Sequence, residues 1–295
     1  MTELALMSPG AGVSPIRRRL GHNSSVAALI PHFQCEEWLP DCLQSLVSQS
    51  RPLDAIFVID DGSGDPPLEI VRRFPQVTLL ASAENVGPYR LVQQVMNDTE
   101  YDAYMFQDAD DWSSSDRLEL LLAEAERTGA ELIGTQEVRI GCDIADAWTF
   151  NYPLDVNEEL RRRPHFFGLL HPTSLVSREL VLDLGGYSTG LRFSGDAEFL
   201  TRAVHIATVR NIPAYCYYRR KRLGSLTTNP ETSLDSPARL RLRDILHSRA
   251  KANAADREAA GYVSLGPYVV APPIRLLYLS GPSKASAWPP MEVFE

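Results

Sequence analysis

Within the stretch FQDADDW, Asp108, Asp110 and Asp111 fall inside four positions, delivered by the apolar run Ala103-Tyr104-Met105-Phe106. Neighbouring carboxylates repel and raise one another's pKa unless a cation or a hydrogen-bond network stands between them. Ala109 separates Asp108 from Asp110, so the backbone can bend and aim both carboxylates at one spot. Hard divalent ions such as Mg²⁺ and Mn²⁺ are held by one or two carboxylates together with a substrate's phosphate oxygens, which would make the crowding tolerable. The plainer alternative is a solvated Asx turn capping the next helix, for which Asp111 is well placed.

Other groups raise the same choice between chemistry and local structure. VIDDGSGD closes an apolar run with Asp60 and Asp61; it reads as a strand-to-helix turn, or as a carboxylate at a strand end that accepts a hydrogen bond from a base N–H. FSGDAEF offers Asp196 and Glu198, either a general base in reach of a hydroxyl or acids favoured at a helix start. YYRRKRLGS gathers Arg219, Arg220, Lys221 and Arg222, a solvated face or a diphosphate site. His171, alone after an apolar run, suits a structural role better than a catalytic one.

These groups need elements to hold them. Short apolar runs without polar alternation, at 26–31, 54–60, 77–82, 103–107 and 130–138, read as strands buried on both faces. Amphipathic segments at 36–50, 66–74, 87–98 and 114–129 alternate with them, the last with Ser114 or Ser115 as N-cap and Gly129 as stop. Such repetition predicts an α/β fold with a mostly parallel, Rossmann-like sheet flanked by helices. Ligands then bind outside the carboxyl ends of the strands, where PHFQ, DDGSGD and DADD all fall. Residues 139–170 mix aromatics, charges and prolines. A strand, a helix and a Gly-Gly turn are expected over 171–188, a helix over 195–207 and a strand over 209–220. The expected division is a flexible leader over 1–24, a catalytic domain over 25–227, and a helical extension with a Pro-rich tail over 228–295.

The chain has 295 residues, 44% of them apolar, with a net charge of −9. That suffices for a sizeable core, and the acidic balance argues against nucleic acid as a partner. No apolar run approaches the roughly 20 residues of a membrane span. Cys35, Cys42, Cys142 and Cys216 form no CxxC pair and read as free thiols of a cytoplasmic protein. A homodimer is compatible with the sequence.

The order of the motifs says more than any one of them. ALIPHFQCEEWLPDCLQSLVSQS, IFVIDDGSGD, ENVGPYR, FQDADDW, a Gly-Gly turn and GDAEF together resemble the family 2 glycosyltransferases of the GT-A fold, over residues 25–227. The resemblance implies a hexosyltransferase that moves a sugar from a nucleotide-diphosphate donor, a UDP-sugar by preference, to an acceptor hydroxyl, usually with inversion. It implies that Pro31 and Phe33 line the nucleoside, that Asp61 reads a uracil-type N–H, and that Asn85, Gly87 and Arg90 lie beside the nucleotide. Asp108 would lean on the ribose or donor sugar, Asp110 would hold the Mn²⁺ or Mg²⁺ ion with it, and Asp196 would be the base. Glu198 and His171 would face the acceptor. Many members have Glu-Asp where this chain has Gly195-Asp196, and a histidine where it has arginines, so Arg220 or Arg222 would neutralise the leaving group. Two other readings stand beside this one. A sugar nucleotidyltransferase would need a Gly-rich, Lys-containing loop that is missing after ALIP, and a non-catalytic nucleotide-sugar-binding module would not need Asp108, Asp110 and Asp196 intact.

Overall fold

A computed structural model describes residues 19–141, 144–222, 224–256, 265–283 and 287–290. Cys142, most of the expected leader and the stretch 257–260 therefore lie outside the described residues.

The first half alternates as its hydrophobic pattern dictates. Strands β1 (Val26–His32), β2 (Ala55–Asp60), β3 (Val77–Ala81) and β4 (Ala103–Phe106) are separated by helices α1 (Leu39–Val47), α2 (Leu68–Val71) and α3 (Pro88–Asp98). The four strands pair in parallel, with Leu29 opposite Phe57 on one side and Phe106 on the other. Successive β1 side chains point to opposite faces. Ala27 and Leu29 join the core under α3, while Val26, Ala28 and Ile30 join the one under α1. Burial on both faces is why these runs carry no polar alternation.

Beyond β4 the sheet turns mixed. The further elements are β5 (Trp112–Ser113), α4 (Arg117–Thr128), β6 (Leu132–Ile140), β7 (Trp148–Phe150), α5 (Val156–Arg162), β8 (Leu175–Ser177), α6 (Arg178–Asp183), α7 (Gly195–Ala203), β9 (Val209–Arg220), α8 (Pro237–Asp256) and β10 (Leu277–Ser280). The strand order is β10-β3-β2-β1-β4-β8-β6-β9-β5, with β7 folded back on β6. The pairings of β8, β7, β5 and β10 are antiparallel, while the long β6–β9 ladder is parallel. Helix α4 ends as expected: Gly129 takes φ 72° and its N–H returns to the Ala125 carbonyl at 2.8 Å. Its start lies later than Ser114 or Ser115, with Asp116 in the capping position, because β5 holds Ser113 to Tyr217 and the Ser114 N–H to Cys216.

The stretch expected to be a Pro-rich tail is partly a strand. Residues 272–280 run along α3, where Arg90 Nε donates to the Pro272 carbonyl, and then β10 adds to the edge of β3. Trp288 closes the same face, its ring 5.5 Å from Phe57 and its Nε1 bonded to Asp98. Among the described residues no helix is long and apolar enough to cross a membrane.

Candidate active site

Strand β5 explains how the acidic and basic clusters meet. It is only two residues long, but it follows DADD directly and pairs with β9, Trp112 opposite Tyr218, their rings stacked at 5.3 Å. That pairing brings the arginines at the end of β9 alongside the carboxylates.

Each carboxylate has a different partner. Asp111 is buried and accepts from Tyr217 Oη at 2.8 Å and from the Arg220 N–H at 2.7 Å, so both its oxygens are engaged. Asp110 is paired with the Arg222 guanidinium, and its carbonyl accepts from Arg220 Nη1 at 2.9 Å. Arg222 also lies over the Trp38 ring and donates to Cys35 Sγ. Burial, then the Asp110 charge, raises the Asp108 carboxyl to about 7; Arg219 pulls the other way and Asp196 adds to the rise. Asp111 is raised by burial and by both neighbours.

Oxygens of Asp108, Asp110 and Asp111 lie within 4.8 Å of one another, an all-oxygen set that fits a hard divalent ion. With Asp111 engaged by Tyr217 and Arg220, Asp108 and Asp110 are the two that could hold it. Arg222 would have to give up Asp110 as an ion arrived.

Asp108 also lines a cavity of about 670 Å³ whose walls include Pro31, His171 and Asp196. Asp196 accepts a 2.9 Å hydrogen bond from Tyr89 Oη, and Tyr89, on α3, is buried. The same ring accounts for Gly195. A Cβ there would meet Tyr89 Cδ2 at 2.7 Å, so the Glu that the resemblance leads one to expect would fit only if the Tyr89 ring shifted. Ser194, just before it, takes a left-handed φ of 62°. His171 sits in a single 3₁₀ turn (His171–Thr173), stacked on Phe106 at 3.9 Å and bonded to Tyr187 Oη at 3.2 Å. Burial lowers its pKa to about 4, so it is neutral at physiological pH.

Other expected residues lie elsewhere. Glu198 does not reach the cavity: at 2% exposure it forms a two-point pair with Arg202, which also donates to the Leu184 and Gly186 carbonyls. Its role is to tie α7 to the Gly-Gly turn. Asp61 accepts from the backbone N–H groups of Val86 and Gly87 at 2.6 and 2.9 Å, fixing the start of α3. Burial raises its pKa against that pull. Nearby, Gly62 allows the chain to cross residue 84, whose carbonyl carbon a Cβ would meet at 2.5 Å. Asn85 accepts from Arg192 at 2.7 Å. Phe33 is 39% exposed at the end of β1 and does not line the cavity.

Sequence reasoning missed Tyr89 and Arg117. Arg117 is wholly buried and donates to Gln107, Ser113 and the carbonyls of Phe106 and Pro172, holding the end of β4 to the His171 turn. Burial lowers its pKa to about 10. An arginine in the first turn of an amphipathic helix gives no sign of this; the only local hint is the glutamine at 107 where the strand's apolar run ends.

Comparison with known proteins places this geometry. Residues 27–185 match the family model described as Glycosyl transferase family 2. A glycosyltransferase of Haemophilus influenzae is 27% identical over 158 residues, covering 51% of this chain and 59% of the relative. A cholesterol galactosyltransferase of Borreliella burgdorferi is 23% identical over 227 residues, covering 70% of this chain and 63% of the relative. The chain thus spans about three fifths of these curated relatives' lengths. Among solved structures, S. aureus TarS 1–349 in complex with UDP-GlcNAc superposes with a TM-score of 0.61 at 18% identity, over 81% of this chain and 73% of that one. The match at that identity concerns the fold. Asp196 and the β9 arginines lie beyond the residues the family model matches.

Proposed function

The chain belongs to glycosyl transferase family 2 and has the GT-A architecture, and on that premise we propose that it is a glycosyltransferase that moves a sugar from a UDP-sugar to an acceptor hydroxyl with inversion, using Asp196 as general base. The observation that carries this reading is that Asp108 and Asp196, from segments far apart in sequence, line one cavity. A divalent ion held by Asp108 and Asp110 would supply Lewis-acid compensation for the charge developing on the departing diphosphate. Arg220 and Arg222, at the same rim, add positive charge for that leaving group.

Asp196 takes the proton of the acceptor hydroxyl as its oxygen bonds to the anomeric carbon, while the bond from that carbon to the diphosphate breaks. Tyr89 holds the base in place by donating to one carboxylate oxygen. The apolar walls, among them Phe106, Phe193 and Leu200, exclude the water that would otherwise compete with the acceptor. The UDP-GlcNAc bound by TarS supports a nucleotide-sugar donor here.

Asp196→Asn is the test. General base catalysis typically contributes about 10² to 10⁴-fold, so transfer should fall by that much while UDP binding in the presence of Mn²⁺ is kept. Transfer near the wild-type rate would remove Asp196 from the mechanism, and retention at the anomeric carbon by NMR would overturn inversion.

A further inference from the structure

One wall of the cavity carries a charge pattern that sugar transfer does not itself call for. Arg239, Arg243 and His247 stand at i, i+4 and i+8 on α8, and all line the cavity. At 1.5 Å per residue they form a row about 12 Å long. The row begins near the base, where Arg239 feels the charge of Asp196 and lies over the Phe193 ring at 4.8 Å. It ends at His165, whose ring is 4.6 Å from that of His247.

Like charges four apart on a helix repel, and the usual remedy is to turn them to water. Here the row borders the cavity, with the Arg243 side chain still 54% exposed. Among the described residues, Arg239 and His247 have no carboxylate within ion-pair range, and Arg243 has only its chain neighbour Asp244, at 3.6 Å. Asp235 is the further acid on this part of the wall. Burial, then His165 and Arg243, hold His247 below its ordinary pKa, and the Asp244 charge offsets part of that pull. The donor's diphosphate already has Arg220 and Arg222 beside Asp110, and neither lines the cavity. The other arginines that line the cavity, Arg139 and Arg219, both lie within ion-pair range of Glu137, which leaves the α8 row for the other substrate.

Resting on the transfer reading above, we propose that the acceptor carries an oxyanion, a phosphate or a carboxylate, seated on Arg239, Arg243 and the His165–His247 pair with its hydroxyl turned to Asp196. The anion fixes the acceptor's register along α8, and the hydroxyl that reaches the base is the one the row's length selects.

Calorimetry on the full chain, saturated with UDP and Mn²⁺, tests this with glycerol 3-phosphate, glycerate and glycerol as probes. At least one of the two anions should bind tenfold or more tightly than glycerol, and which one does so separates phosphate from carboxylate. R243Q/H247Q should weaken that anion at least tenfold. R241Q, which removes the same charge from α8 away from the cavity, should change it less than twofold. His165→Gln, on a separate segment, is the second probe should the double variant fail to fold. Glycerol binding as tightly as both anions, wild-type anion affinity in R243Q/H247Q or H165Q, or an equal loss in R241Q would each overturn the inference. Absence of UDP–Mn²⁺ binding in the wild type would instead overturn the transfer reading, and the inference with it; UDP binding without anion preference overturns the inference alone.

Discussion

Tyr89 and Asp108 bear on the proposed reaction in different ways. Tyr89 Oη donates to Asp196 and so fixes where the proposed base points. A hydrogen bond to a charged group contributes about 1.5–3 kcal/mol, so Tyr89→Phe should lower kcat roughly 10-fold or more while leaving UDP affinity unchanged. A fall in UDP affinity instead would mean that Tyr89 shapes the donor site. Asp108 bears on stability. Its folded pKa of about 7 exceeds the ordinary 3.8, so the folded chain holds the extra proton between those values. From this group alone, the ion-free protein loses stability as pH climbs through that window. His171, lowered to about 4 from 6.5, acts in the opposite sense: its contribution is lost as pH falls from about 6.5 to 4. The two are separated by comparing melts with and without metal. The rise in Tm on adding Mn²⁺ should be larger at about pH 7.5 than at about pH 5.5, and Asp108→Asn should abolish the response. A Tm shift independent of pH would speak against carboxylate ligands.

Among the elements, the pair within α7 is the one whose loss should be felt most. Glu198 and Arg202 are each 2% exposed, and Arg202 reaches the carbonyls that end α6 and the Gly-Gly turn. Removing one partner of a buried pair leaves an uncompensated charge, so Glu198→Gln should cost about 3–5 kcal/mol by urea denaturation. Donor affinity measured where the variant is folded should be unchanged; a selective loss of acceptor use with full stability would return Glu198 to the site. The sequence could not show this, because an acid in the first turn of a helix looks the same whether it meets substrate or an arginine one turn on. The helices and strands of the first half were legible for the opposite reason: strands buried on both faces must be apolar throughout, and α1, α3 and α4 must each keep an apolar stripe. The short strands β5 and β10 carry no such signal and exist through their partners, whereas β8 falls inside the stretch 171–188 where a strand was expected.

At the scale of the whole molecule, the candidate site joins distant segments. Asp108 and Asp110 stand out as candidates in the sequence because they sit together at a strand end, and Asp196 because it follows the Gly-Gly turn. Tyr89, Arg117 and Arg239 do not, since only tertiary packing turns these helix residues inward. The segment around β10 was read as irregular from its prolines, yet Pro272 and Pro273 merely precede the strand, where a missing N–H is harmless. Trp288 locks this segment over Phe57, and Trp288→Ala should cost about 3–5 kcal/mol and expose the segment around β10 to limited proteolysis. Unchanged protection would show that the strand pairing alone suffices.

The pairing of Ala81 with Leu277 also has a consequence for biogenesis. As the chain leaves the ribosome, β1 to β4 can assemble early, but β3 stays an open border of the sheet until β10 has been synthesised. During that interval the nascent protein offers unpaired peptide groups to any passing strand, so a slow stretch of translation late in the message should raise its dependence on chaperones.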